Sequence, residues 1–129
     1  MSAVDCMNAE RLRILIVEDF PDTADFLAKW VELAGHSARI CHTGVDALKV
    51  APEYRPDIIL LDIGLPDMHG WDVARLLRED PSLSQTRIVA VTAYKTEEDR
   101  LRSEKLGIDV HLGKPVLQSD IAKILAKRT

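Results

Sequence analysis

The chain has 129 residues, 47% hydrophobic and 29% charged, enough for one domain with a proper core and too few for two. A formal net charge of −4 gives no electrostatic reason to bind nucleic acid directly or to adhere to a membrane surface. The longest uninterrupted apolar runs are four residues, too short to span a bilayer.

Met1–Glu10 carries acids and lacks the apolar core of a secretion signal. It is expected to be a short flexible extension to a domain over 11–129, and the chain is expected in the cytoplasm. Cys6 and Cys41 form no Cys-x-x-Cys pair and lie near no cluster of histidines, which argues against zinc; they read as reduced thiols.

Short apolar runs then alternate with stretches of helical period, the pattern of strand–helix units around a parallel sheet. Arg13–Val17 is nearly all aliphatic, as a strand covered on both faces must be. Pro21 suits a first helical position. Phe26, Leu27, Trp30, Val31 and Leu33 follow at helical steps as the inward face, and Gly35 stops the helix. Ser37–Cys41 is a more polar strand, expected at an edge. Thr43 or Gly44 opens a short helix with Val45, Leu48 and Val50 inward, ended by Pro52.

Asp57–Leu61 is the most apolar strand and therefore central. A helix after Gly70 carries Val73, Leu76 and Leu77 and stops at Asp80-Pro81. Arg87–Thr92 is the fourth strand. Thr96 caps the next helix, with Asp99 placed to reach back; Leu101 and Leu106 face inward and Gly107 ends it. Ile108–Leu112 is the fifth strand, and Ser119 caps a last helix bearing Ile121, Ile124 and Leu125.

Crossovers of this length are right-handed, and ligands of open parallel sheets sit beyond the carboxyl ends of the strands. Those ends here deliver Glu18 and Asp19, Asp62, Thr92, and Lys114-Pro115. Three carboxylates brought together raise one another's pKa and call for a countercharge. Mg²⁺ fits, because it takes oxygen ligands and needs only one or two direct carboxylates. Lys114 brings a point charge suited to a phosphoryl or carboxylate oxygen, and Thr92 a hydroxyl. Phosphoryl transfer asks mainly for positioning and charge neutralisation, so Asp62 is the candidate nucleophile. Any one of these groups alone reads as a helix cap, a strand-end hydroxyl or a solvated lysine. Their recurrence on successive strands favours a single site.

The motifs Ile16-Val17-Glu18-Asp19, Leu60-Leu61-Asp62-Ile63-Gly64-Leu65-Pro66-Asp67-Met68-His69-Gly70, Val91-Thr92-Ala93 and Gly113-Lys114-Pro115 resemble those of the receiver domain of two-component response regulators, over residues 12–127. The resemblance implies a flavodoxin-like α/β fold of five strand–helix units, strand order 2-1-3-4-5. It implies phosphorylation of Asp62 by a histidine kinase or histidine phosphotransfer protein. Asp19 and Asp62 would bind Mg²⁺ directly, Glu18 through water, and Gly64 through its backbone carbonyl. Thr92 and Lys114 would hold the phosphoryl oxygens, and the Lys114–Pro115 bond would be cis. The face of the fourth helix, fifth strand and fifth helix would meet a downstream protein partner, or a second copy in a phosphorylation-dependent dimer; otherwise the chain is a monomer. The segment Val110–Val116 looks most like receivers attached to hybrid sensor kinases.

His111 departs from the family, which usually has Tyr or Phe there as a rotamer switch. It is either an outward strand histidine or an imidazole that performs the switching. Gly64 brings no side chain to orient a hydrolytic water, and Tyr94 is placed to cover the phosphoryl group, so slow autodephosphorylation is expected. Met68 and His69 read as contact residues, since a soft sulfur does not suit Mg²⁺; Trp30 and Trp71 read as packing residues. The basic ending Ala126-Lys127-Arg128-Thr129 suits a helix dipole. A flavin carrier would need a Ser/Thr/Gly-rich loop where Glu18-Asp19-Phe20-Pro21-Asp22 stands, and an aspartate phosphatase a second Asp where Gly64 stands. The remaining alternative is a receiver-like scaffold that is not phosphorylated.

Overall fold

The structure, a computed structural model, describes residues 11–93 and 96–126. The expected extension 1–10, Tyr94 and the basic ending 127–129 lie outside the described residues. Strands β1 (Arg13–Val17), β2 (Ser37–Cys41), β3 (Ile58–Asp62), β4 (Arg87–Thr92) and β5 (Val110–Gly113) alternate with helices α1 (Pro21–Leu33), α2 (Gly44–Tyr54), α3 (Gly70–Arg78), α4 (Glu97–Lys105) and α5 (Gln118–Ala126). The sheet is wholly parallel in order β2-β1-β3-β4-β5. This is the flavodoxin-like arrangement, with the polar β2 at one edge and the apolar β3 in the middle.

Strand alternation divides the core in two. Leu15, Val17, Ile59 and Leu61 meet Ala47 and Ala51 of α2 and Val73 and Leu77 of α3. Ile14, Ile16, Ile58 and Leu60 meet Leu27 and Val31 of α1 and Ile121 and Leu125 of α5. Helices on both faces explain why β1 and β3 are unbroken aliphatic runs.

Small residues shift the buried stripes from where the large apolar side chains suggest. On α1 the stripe is Ala24, Leu27 and Val31, so Phe26 and Leu33, expected inward, are 62% and 69% exposed. On α2 it is Gly44, Ala47 and Ala51. Leu48 and Val50 pack at its margin, while Val45 is exposed. Nor does Pro52 end α2: it lies in the last turn, and the helix runs on to Tyr54 before Arg55 turns it off in the left-handed region at φ 52°. A proline removes its own backbone donor and its ring crowds the carbonyl four residues back, yet Ala51 and Tyr54 on either side of it pack against the core.

The capping of α4 is as expected: the Thr96 hydroxyl accepts from Asp99 N–H and donates to the Asp99 carboxylate. Its inner face is not. Leu101 is half exposed, and the buried residue is Ser103. The Trp71 indole of α3 donates to the Ser103 hydroxyl at 3.0 Å, and the Arg102 guanidinium lies 4.6 Å over the Trp71 ring. Polar contacts thus take the part that apolar packing plays elsewhere. Ser119 is not a cap either. Asp120 accepts from Leu117 N–H at 3.0 Å, the return half of a capping box, which starts α5 at Gln118. The β5 ladder begins at Val110 rather than Ile108, because Ile108 is drawn into the core and Asp109 bonds Ile88 and Arg78.

Candidate functional site

Register brings the strand ends to one edge of the sheet. Val17 pairs with Leu61, Asp62 with Val91, and Thr92 with Gly113, so the next residues, Glu18 and Lys114, flank Asp62. Ligand atoms of Glu18, Asp19 and Asp62 lie within 4.8 Å of one another. The Lys114 ammonium is 3.2 Å from Asp62 Oδ2 and 3.6 Å from Glu18 Oε1. Thr92 is buried, and its carbonyl accepts from Lys114 N–H at 2.9 Å. Glu18 and Asp62 are buried, whereas Asp19 is exposed.

The electrostatics are unbalanced. Burial, aided by the charge of Asp62, raises the pKa of Glu18 to about 7, against the bond from Phe20 N–H that lowers it. Burial works to lower the pKa of Lys114, but the carboxylates of Asp62 and Glu18 outweigh it and push the ammonium up. One lysine therefore stands against three carboxylates. Glu18 Oε1 is buried without a hydrogen-bond partner among the described residues. An all-oxygen donor set, one member exposed and one buried oxygen unsatisfied, fits a hard divalent cation that keeps part of its water.

The loop after β3 is held at both ends. Gly64 N–H donates to Asp62 Oδ1 at 3.0 Å, and Gly70 N–H to the Ile63 carbonyl at 2.7 Å. A Cβ at Gly70 would lie 2.4 Å from Ile63 Cα, so only glycine lets α3 start this close to Asp62. His69 caps α3 by accepting from Trp71 N–H, and its ring centroid is 4.6 Å from that of Trp71. His69 is not grouped with the three carboxylates, and Met68 packs at the margin of the core. The Lys114–Pro115 bond is cis.

His111 is not an outward histidine. It lies under α4 beside a polar cavity of about 210 Å³ lined by Arg100, Ser103, Glu104 and Asp109. Its Nε2 is buried without a partner among the described residues, and burial lowers its pKa. A feature that the sequence reading missed is a mainly apolar groove of about 440 Å³, walled by Phe26, Leu27 and Trp30 on one side and Lys114, Pro115 and Val116 on the other. Phe26 stacks on Trp30 at 6.5 Å. The available signal was that α1 carries more large apolar residues than one buried stripe can hold.

A parallel five-stranded sheet with an acid cluster and a lysine at its carboxyl edge defines a class of phosphoryl-handling α/β domains. Residues 14–126 match the response regulator receiver domain, and the chain belongs to that family. It is 33% identical over 103 residues to the polar-differentiation response regulator DivK of Brucella anthropi, covering 80% of this chain and 84% of that protein. A CheY-like receiver domain protein from Methanospirillum hungatei superposes with TM-score 0.83 at 27% identity, covering 90% of this chain and 91% of the other. The receiver domain of a sensor histidine kinase from Pseudomonas aeruginosa PAO1, solved with magnesium coordinated in its active-site cleft, superposes with TM-score 0.81 at 28% identity, covering 89% and 94%. Receiver domains are the signalling phosphoacceptors of two-component systems. They bind Mg²⁺ in an acidic pocket and work with histidine kinases or phosphotransfer proteins and with downstream partners. No helix among the described residues is long and apolar enough to cross a membrane.

Proposed function

We propose that Asp62 accepts a phosphoryl group from a phosphohistidine of a kinase or phosphotransfer protein. The observation that carries this reading is the burial of Asp62 at the end of β3 with Lys114 Nζ at 3.2 Å and the carboxylates of Glu18 and Asp19 beside it. A carboxylate oxygen of Asp62 attacks phosphorus, the P–N bond to the donor imidazole breaks, and its electron pair stays on that nitrogen. Asp19, Asp62 and the Gly64 carbonyl would hold Mg²⁺ directly and Glu18 through water. When bound, the ion neutralises phosphoryl oxygens and the carboxylates around them. Lys114 and the Thr92 hydroxyl take the remaining oxygens, and Pro115 shapes the loop that presents Lys114. The groove along α1 lies beside Lys114 and offers a donor protein in the cytoplasm an apolar surface next to the site.

Incubation with Mg²⁺ and acetyl phosphate, read by intact mass, should add one phosphate that Asp62→Asn abolishes. No addition from acetyl phosphate or from a cognate kinase refutes the proposal. Because Gly64 offers no side chain to orient water, and Tyr94 stands two residues beyond Thr92, the acyl phosphate decays with a half-life of many minutes; decay within seconds would contradict this. His111 acts as the switch under α4, supported by its unpaired buried Nε2, and passes the change to the α4–β5–α5 face for a downstream partner or a dimer. Unchanged phosphorylation-linked partner binding in His111→Ala would remove that role.

A further inference from the structure

The Asp67 carboxylate does not face the acid cluster. It accepts from the N–H groups of Gly44 at 2.9 Å and Val45 at 3.0 Å, the first two residues of α2, across 23 and 22 positions of sequence. These are donors that a helix cannot satisfy internally. Thr43, the helix's own cap, accepts from Asp46 N–H instead. The two acceptors therefore divide the work, and Asp67 is tied to a neighbouring helix as well as to the backbone of its own loop. The same two backbone bonds, Gly44 first, hold its carboxyl below the usual range although it is exposed. Gly44 adds a second contact: a Cβ there would meet Val73 at 2.8 Å and Met68 at 3.2 Å.

The tie matters because of what hangs between its ends. The loop is fixed at Asp62 by the Gly64 N–H and at α3 by Gly70. Between them Gly64 itself is exposed and open, with Asp62 Oδ1 the sole heavy atom within 4 Å of where its Cβ would stand. Its neighbours Ile63 and Leu65 are buried in the core, so the direction of its carbonyl depends on them and on what holds the rest of the loop. We propose that Asp67 is a positioning residue for cation binding: by clasping the start of α2 it holds the loop so that the Gly64 carbonyl and the Asp62 carboxylate point to one place. This rests on the reading of Glu18, Asp19, Asp62 and Gly64 as the Mg²⁺ site. Partners that hydrogen-bond a metal ligand directly change affinity by about 10–100-fold when removed; Asp67 acts through the loop, which sets the expectation at the low end of that range.

The test uses Mn²⁺ as the probe, its free concentration read by electron paramagnetic resonance in a titration of the whole chain. Wild type should bind one ion. Asp67→Ala should weaken binding about 10-fold, and Asp67→Asn, which keeps one acceptor oxygen, should lie between. Thr43→Ala strips the other cap from the same helix end and serves as the stability control: its melting point falls while its Mn²⁺ affinity stays within about 2-fold of wild type. Affinity within about 2-fold of wild type in both Asp67 variants overturns the proposal. So does an equal weakening in Thr43→Ala, which would assign the effect to α2 stability. No saturable Mn²⁺ binding by wild type overturns the site reading itself and this inference with it, a result distinct from the other two.

Discussion

Gly70→Ala tests how closely α3 must approach the phosphoacceptor. The added methyl would stand 2.4 Å from Ile63 Cα, 2.8 Å from the Asp62 carbonyl oxygen and 2.9 Å from Ile63 Cδ1. Two of these are backbone atoms that cannot rotate away. Ordinary contact begins at 3.4 Å, so α3 and Ile63 must part by about 1 Å. The hydrogen bond from Gly70 N–H to the Ile63 carbonyl, 2.7 Å long, resists that movement. Overpacking of this sort costs about 1–3 kcal/mol, and the gain from replacing a helical glycine offsets less than about 1 kcal/mol of it. A net loss of about 1–2 kcal/mol is expected in urea denaturation, as a lower midpoint at unchanged slope. The larger effect belongs to function, because the displaced atoms adjoin Asp62. A misplacement of about 1 Å costs on the order of 10²-fold in rate, so acetyl phosphate labelling at saturating Mg²⁺ should slow by 10-fold or more. Full stability together with a labelling rate within about 2-fold of wild type would show that the approach of α3 does not position Asp62.

Two further substitutions probe the same frame. Trp71→Phe keeps the ring but strands the buried Ser103 hydroxyl, at a cost of about 1–3 kcal/mol, and amide exchange across α4 should quicken while β1 and β3 stay protected; uniform exchange changes would contradict the local role. Glu18→Gln should stabilise the metal-free protein. The folded pKa of Glu18 is raised to about 7, so the folded state holds its proton longer than the unfolded one, and wild-type stability falls as pH rises from about 4.5 through 7. In EDTA the Gln variant should exceed wild type by about 1–3 kcal/mol near pH 8 and match it near pH 4.5, with Mg²⁺ closing the gap at pH 8. A variant less stable than wild type at pH 8 would mean that Glu18 is stabilised in the folded state.

The strand order came from the resemblance of the motifs, whereas the convergence of Glu18, Asp19, Asp62, Thr92 and Lys114 was legible because alternating strands and helices put all the strand ends on one edge of a parallel sheet. The burial of individual helix residues was less so. Ala24 and Ala51 decide which faces of α1 and α2 go inward, yet small residues carry little hydropathic signal beside Phe26 or Val45. The inner face of α4 was illegible for a related reason: its contact is a serine hydroxyl meeting an indole from α3. The clasp of Asp67 on Gly44 joins a loop to the start of a helix 23 residues away, and no periodicity announces a pairing of that length. Pro52 misled because a proline weakens a helix locally without ending it when the residues around it pack against the core.

The walls of the groove beside Lys114 have a practical consequence. Trp30 lines that groove, against the sheet face covered by α1 and α5, whereas Trp71 sits on the opposite face against α4. These are the two tryptophans in the chain. With Trp71 replaced by Phe, emission reports only what enters the groove at the donor side. With Trp30 replaced, it reports only the α4 side. The time between the two signals after a phosphodonor is added would measure, without any attached label, how long the message takes to cross the sheet.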